Sequence, residues 1–404
     1  MRNSCRNVAC RLASLAAAGI AAVGTAWGQV PPAWEATPNF RYNIESIDYN
    51  ANTRVARVFF SVTNPSAGEV PWDIKADWPF TQLLPSAVSR LSLDIGWNTR
   101  EYTNAGSGSP SAAAAPISVD LLKNATEVVP DSGIYVASAT LPTQAKGTGV
   151  AAIEGHPAWT VDLGGLPATA PVPVKNAYKY FGITDSTIVP RREIVDINKC
   201  KVCHDGTDIP RLSLHGSNRS EELRVCVICH NPNQTDIPFR KTGAEESVDF
   251  KRMVHGIHAG GMRRNPLVII GRGSSVNDFS GVRFPANLAN CLKCHIDRPG
   301  QGTYQIPLAS SVLGSVINTK STLGGAIDVN PANDLKITPV ASVCSSCHDS
   351  AKAIYHMKSK GKAGFGVLQS QIDSGTYRER CVSCHGPGKD KDVRRVHEIE
   401  ESGR

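Results

Sequence analysis

Cys200-Lys-Val-Cys203-His204, Cys226-Val-Ile-Cys229-His230, Cys291-Leu-Lys-Cys294-His295, Cys344-Ser-Ser-Cys347-His348 and Cys381-Val-Ser-Cys384-His385 write one pentapeptide five times in the second half of a 404-residue chain. Cys-x-x-Cys-His is the attachment spacing of c-type haem. The two thiols form thioethers with the porphyrin vinyl groups, and the histidine that follows lies under the iron as its proximal ligand. Zinc is the competing reading, because Cys-x-x-Cys pairs can build a tetrahedral site. Zinc gives no reason for a histidine after every second cysteine. The pattern therefore predicts five covalently attached haem c groups. Their thioether residues are Cys200, Cys203, Cys226, Cys229, Cys291, Cys294, Cys344, Cys347, Cys381 and Cys384, and their proximal ligands are His204, His230, His295, His348 and His385.

The remaining histidines match this count. The chain has 11 His; after the five proximal ones, His215, His255, His258, His356 and His397 lie in the same half, and His156 alone lies outside it. One further histidine is thus available to each iron as distal ligand. Met is the usual competitor for the sixth position, but only Met253, Met262 and Met357 occur in this half. His255 and His258 fall in a predicted short helix that ends at Gly260 or Gly261. Three residues apart, they share a helix face and can serve two neighbouring irons. Gly256 between them offers room for a flat macrocycle. His156 is read as structural.

Residues 1–28 read as a secretory signal: Arg2, Arg6 and Arg11 precede the apolar run Leu12–Gly24, which is too short to span a bilayer, and Ala26-Trp-Gly28 supplies a small-x-small cleavage site. The other two cysteines, Cys5 and Cys10, lie inside this signal, so every mature cysteine is a haem cysteine and no structural disulfide is expected. No Cys follows the cleavage site, so no lipid anchor is expected, and no later stretch reads as a membrane span. Loss of the three arginines takes the net charge from +7 to +4. Ten haem propionates would outweigh that balance, so the bare-chain pI of 8.8 does not argue for nucleic acid as a partner. Lys251, Arg252, Arg263, Arg264, Arg394 and Arg395 flank the ligand histidines and are expected to pair with propionates.

The two halves differ in character. All six Trp lie at or before residue 159 and all ten motif cysteines at or after residue 200. Residues 40–49, 54–63, 89–97 and 133–141 alternate apolar and polar side chains, with turn-rich stretches such as Asn64-Pro-Ser-Ala-Gly68 between them. These features predict an all-β N-terminal domain, a sandwich or split barrel, over residues 29–185. Residues 186–404 lack sustained periodicity apart from short α-helices near Ser247–His258 and Val343–Met357. They read as a mostly irregular, haem-packed domain in which the cofactors replace a side-chain core.

Leu212-Ser-Leu-His-Gly216, Cys226-Val-Ile-Cys-His-Asn-Pro232, Phe250-Lys-Arg-Met-Val-His-Gly-Ile-His-Ala-Gly260, Thr338-Pro-Val-Ala-Ser-Val-Cys-Ser-Ser-Cys-His-Asp349 and Val393-Arg-Arg-Val-His397 resemble the outer-membrane multihaem cytochromes of metal-respiring bacteria, the OmcA/MtrC family. Val62-Thr-Asn-Pro65 and Gly133-Ile-Tyr135 resemble that family's β domain. The resemblance implies bis-His haems in a branched or crossing array, serving extracellular or transenvelope electron transfer. It also implies redox partner cytochromes, a porin–cytochrome complex, and ferric minerals, chelates or flavins as acceptors. Typical members hold two β plus pentahaem modules; this chain holds one.

Three functional classes follow. The first is an electron-transfer protein, exported to the cell surface or periplasm, with every iron closed by two histidines. The second is a multihaem oxidoreductase acting on nitrite, hydroxylamine or a sulfur compound, which needs one open iron position. The third is a subunit of a self-assembling filament or larger complex.

Overall fold

Residues 30–76, 78–80, 88–107, 114–162, 164–165, 167–296 and 313–399 are described by a computed structural model of the chain. The signal segment and part of the Ala105–Pro116 loop lie outside the described residues.

The first half is built of antiparallel strands: β1 (Arg41–Asn50), β2 (Val55–Asn64), β3 (Val70–Pro71), β4 (Arg90–Trp97), β5 (Ile117–Asp120), β6 (Thr126–Glu127), β7 (Ile134–Thr140), β8 (Thr148–His156), β9 (Ala158–Asp162), β10 (Pro167–Pro171) and β11 (Ala177–Gly182). The four alternating segments of the sequence are β1, β2, β4 and β7, each within a residue of its expected bounds. One sheet runs β1-β2-β7-β6 with β3 beside β2; a second runs β11-β8-β4-β5.

Alternation decides how the sheets meet, because successive side chains point to opposite faces. Val58, Phe60 and Val62 of β2 and Tyr135 and Ala137 of β7 share one core with Leu91, Leu93, Ile95 and Trp97 of β4 and Ile153 of β8. The opposite face of the second sheet is covered too. There Val150 and Ala152 of β8, with Tyr178 and Tyr180 of β11, pack on Val225, Val227 and Ile228 of the second half. The nine residues of β8, Thr148-Gly-Val-Ala-Ala-Ile-Glu-Gly-His156, are consequently all buried. That is why this strand shows no alternation: a strand covered on both faces loses the period-two signal.

The second half is short helices and small hairpins: α2 (Ile197–Lys201), α3 (Leu223–Cys229), α4 (Phe250–Ala259), α5 (Pro339–Cys344), α6 (Ala351–Ser359), α8 (Val382–His385) and α9 (Val393–Val396), with α7 (Gln369–Asp373) and the first half's α1 (Leu121–Asn124) completing the order. The helix expected around Ser247–His258 is α4, ended by Gly260. The helix expected over Val343–Met357 is instead two helices. The fourth motif turns between them, and the Ser350 hydroxyl accepts from the N–H of Ala353 to start α6 afresh. Apolar packing within this half is sparse: among the described residues, Ile337, Ala341 and Ala363 form its own small buried cluster.

A hairpin of β12 (Ser213–Leu214) and β13 (Arg219–Ser220) docks on the second sheet. The N–H of Gly155 donates to the Asn218 carbonyl at 3.0 Å, the N–H of Asn176 donates to the Ser220 carbonyl, and the N–H of Ser220 donates back to the Asn176 side-chain oxygen. Gly155 has φ of 131°, and a Cβ there would sit 2.1 Å from the Arg90 carbonyl oxygen. We expect Gly155→Ala to cost more than about 1 kcal/mol, since a side chain at positive φ is strained even without a clash. Gly281→Ala, where a Cβ would meet nothing within 4 Å, should be near neutral. Denaturant unfolding followed by tryptophan fluorescence checks both, and equal midpoints for the two variants would refute the strain argument.

Candidate haem-binding sites

Each pentapeptide adopts one helical turn. The N–H of the motif histidine donates to the carbonyl of the first cysteine at 3.0 Å for His204, 2.9 Å for His230 and His295, and 2.8 Å for His348 and His385. Residues i, i+3 and i+4 share a face in such a turn, so the geometry presents two thiols and an imidazole together five times. Among the described residues none of the ten motif cysteines is in a disulfide.

The motif histidines face the other five histidines of this half one to one. Ring centroids are 6.2 Å apart for His204 and His258, 5.8 Å for His230 and His215, 6.0 Å for His295 and His255, 6.0 Å for His348 and His397, and 6.1 Å for His385 and His356. A metal bonded to two opposed imidazole nitrogens at about 2.0 Å each separates those nitrogens by about 4 Å and the ring centres by roughly 6 Å. The observed spacing therefore suits one iron per pair. The rings of the 204/258 and 385/356 pairs cross at 86° and 88°, whereas those of the 295/255 and 348/397 pairs lie within 13° of parallel.

The backbone orients these rings. Nδ1 of His204 meets the Pro210 carbonyl at 2.9 Å, His230 that of Val248 at 3.0 Å and His385 that of Lys391 at 3.0 Å. On α4, Nδ1 of His255 and His258 meets the carbonyls of Lys251 and Val254, each four residues back on the same helix, at 2.5 and 2.8 Å. A carbonyl partner makes Nδ1 the protonated nitrogen and leaves the Nε2 lone pair free for a metal. Burial also lowers the pKa of His230, His255 and His258, and a ligand histidine must be neutral.

The pairing crosses between motifs. Helix α4 gives His258 to the first motif and His255 to the third. These two motifs are neighbours: the Cys200 and Cys294 side chains lie close to each other, and Lys199 Nζ donates to the His295 carbonyl at 2.6 Å. Helix α6, which follows the fourth motif, gives His356 to the fifth, while α9 beyond the fifth returns His397 to the fourth. The space beside Gly256 is taken by Leu267, whose Cδ2 lies 2.9 Å from where a Cβ would be. Lys251 and Arg252 pair with the carboxylates of Asp249 and Glu246, and Arg263 donates to the Ser346 and Asn265 carbonyls. His156 is buried in β8 with Nδ1 3.3 Å from the Pro157 carbonyl, and burial lowers its pKa to about 4.

The sequence did not reveal the floor under the second site. Asn104 donates to the Ile228 carbonyl at 3.0 Å. Asp94, Glu154 and Arg219 form a buried charged group beside Cys226 and Cys229. Asp94 occupies the polar phase of its alternating strand and so reads as solvent-facing; α3 and the β12–β13 hairpin cover it.

Comparisons with known proteins fit this arrangement. Residues 192–398 match the family described as outer membrane cytochrome MtrC/MtrF-like, domains II/IV. A crystal structure of MtrC from Shewanella baltica aligns with a TM-score of 0.53 at 16% identity, over 87% of this chain and 52% of that one. The chain thus spans about half the length of that solved structure. No curated protein matches the chain.

We expect His255→Ala and His258→Ala each to leave one haem high-spin and able to bind carbon monoxide, with two such haems in the double variant. His156→Ala should leave the spectrum unchanged. A fully low-spin spectrum in both single variants would show that other residues hold the sixth positions.

Proposed function

The chain belongs to the outer membrane cytochrome MtrC/MtrF-like family, whose members are electron-transfer proteins, and on that premise we propose that it carries electrons through five bis-His haems. When bound, each haem supplies a one-electron iron centre held by two axial ligands. The single observation that carries this reading is the set of five facing imidazole pairs at 5.8–6.2 Å. We assign Cys200, Cys203, Cys226, Cys229, Cys291, Cys294, Cys344, Cys347, Cys381 and Cys384 as thioether residues. His204, His230, His295, His348 and His385 are the proximal ligands, opposed by His258, His215, His255, His397 and His356 in that order.

The chain's own residues support one order of the sites. Helix α4 couples the first and third, and the Cys347 sulfur lies 4.0 Å from the His255 carbonyl, which brings the fourth beside the third. The exchange of His356 and His397 couples the fourth and fifth. The second stands to one side on the β sheet. These couplings support a run of first, third, fourth and fifth sites with the second beside it, and electrons could enter or leave at the outer sites.

We read residues 1–28 as an export signal, 29–185 as a β-sandwich domain and 186–404 as the pentahaem domain. The core shared by the two sheets supports the sandwich. Acceptors in this reading are ferric minerals, soluble ferric chelates or flavins, and partners are other cytochromes of a porin–cytochrome complex at the cell surface. Among the described residues no helix is long and apolar enough to cross a membrane.

Intact mass should show five haems on the mature chain; four, or bound zinc, would overturn the assignment. Stopped-flow oxidation of the dithionite-reduced protein should be fast with ferric chelates or flavin. Turnover of nitrite or hydroxylamine at enzyme-like rates, roughly ten per second, would require an open iron and reverse the reading.

A further inference from the structure

Asp94 and Glu154 stand on adjacent antiparallel strands, with Asp94 opposite Ala152 and Ser92 opposite Glu154. They are diagonal neighbours on one face, where like charges oppose each other. Each carboxyl lies within the other's field, and a proton on either would let it donate to its neighbour. Both are buried, at 2% and 5% exposure. One guanidinium serves them both: Arg219 Nε pairs with Glu154, and its Nη2 lies 3.8 Å from Asp94. One proton on the pair balances that charge; a second ionised carboxylate would leave a buried excess negative charge.

The other groups facing the pair are few. Ser118 of β5 hydrogen-bonds Asp94, and Tyr42 of β1 lies close enough to Glu154 to feel its charge. The hairpin brings Arg219 and, on its turn, His215; α3 brings Cys226 and Cys229, and His230 follows them. The charge of Asp94 is felt at Cys229, as is that of Arg219. The second candidate haem site therefore sits within the field of this pair.

We propose that Asp94 and Glu154 form a proton-binding site coupled to the oxidation state of the haem on Cys226 and Cys229. When an external one-electron donor reduces that haem, one solvent proton binds to the pair and forms one O–H bond. When the electron leaves, the proton returns to solvent past Arg219, whose side chain is 27% exposed. Added negative charge nearby raises a carboxyl's proton affinity and its removal lowers it, so electron and proton move together. Burial, then the charge of Asp94, raises the Glu154 pKa; burial also raises that of Asp94, against the opposing pull of Arg219. Both shifts raise the pair's affinity for a proton, and the positive charge of an oxidised haem nearby would oppose them. Because the folded pKa lies above the unfolded one, the pair's contribution to stability is full below the ordinary carboxylate range and is lost as pH rises through the raised value.

This inference rests on the haem reading of the second motif. Redox-difference infrared spectra of the five-haem protein on an electrode test it. Reduction should produce a protonated-carboxyl carbonyl band that shifts in D₂O and disappears in Glu154→Gln and in Asp94→Asn. In wild-type protein carrying ¹³C at the Asp and Glu carboxyl carbons, the band should shift. Absence of the band, an unshifted band in the labelled protein, or a band of full size in both variants would overturn the proposal; an unshifted band belongs to haem propionates. Intact mass separates the two failures: a chain without haem on Cys226 and Cys229 refutes the haem reading, whereas a reducible five-haem protein without the band refutes the proton site alone.

Discussion

The spacing between opposed imidazoles is the constraint on which the second half of this molecule depends. Five ring pairs stand about 6 Å apart, and backbone carbonyls fix Nδ1 of His204, His230, His255, His258 and His385. Little else organises the half. Its own buried apolar cluster among the described residues is three side chains, far too small to offset the conformational entropy of ordering some two hundred residues. A large apolar ring system between each histidine pair would supply the missing core, just as metals sustain small domains that cannot fold on side chains alone. Folding and cofactor attachment are then one process.

The β half supplies what the second lacks, a rigid platform. Its second sheet is covered on both faces, by the other sheet and by α3 with the β12–β13 hairpin. That hairpin carries His215 at its tip, with φ of 54°, 68° and 69° at His215, Gly216 and Ser217. Left-handed conformations at non-glycine residues persist only where surroundings over-determine them. Here Gly155, Asn176 and the Asp94–Glu154–Arg219 group do so. The second site is thus built partly from each half.

The local turn of each motif and the set of paired histidines were legible in the sequence, and which ring faces which was not. Cys-x-x-Cys-His encodes its own local turn, and the histidine count matched the motif count, so all ten ring positions could be named. Which ring faces which depends on long-range packing: His397 lies nearer in sequence to His385 yet faces His348. Strand β8 escaped notice because burial on both sides erased its alternation. The apparent helix over Val343–Met357 was two, since Ser350 offered a cap that periodicity does not register. The burial of Asp94 was not legible, because an alternating strand says which residues share a face and nothing about what covers that face.

The crossed gift of histidines between the last two motifs has a consequence for biosynthesis. His356 follows the fourth motif and faces the fifth; His397 follows the fifth and faces the fourth. Neither site is complete until both segments are present and folded together. A chain interrupted before His397 would carry the fourth motif with only one imidazole and an unclosed iron. If these histidines hold iron, α9 would close the fourth site, and a chain without it would leave there a haem that small ligands can reach.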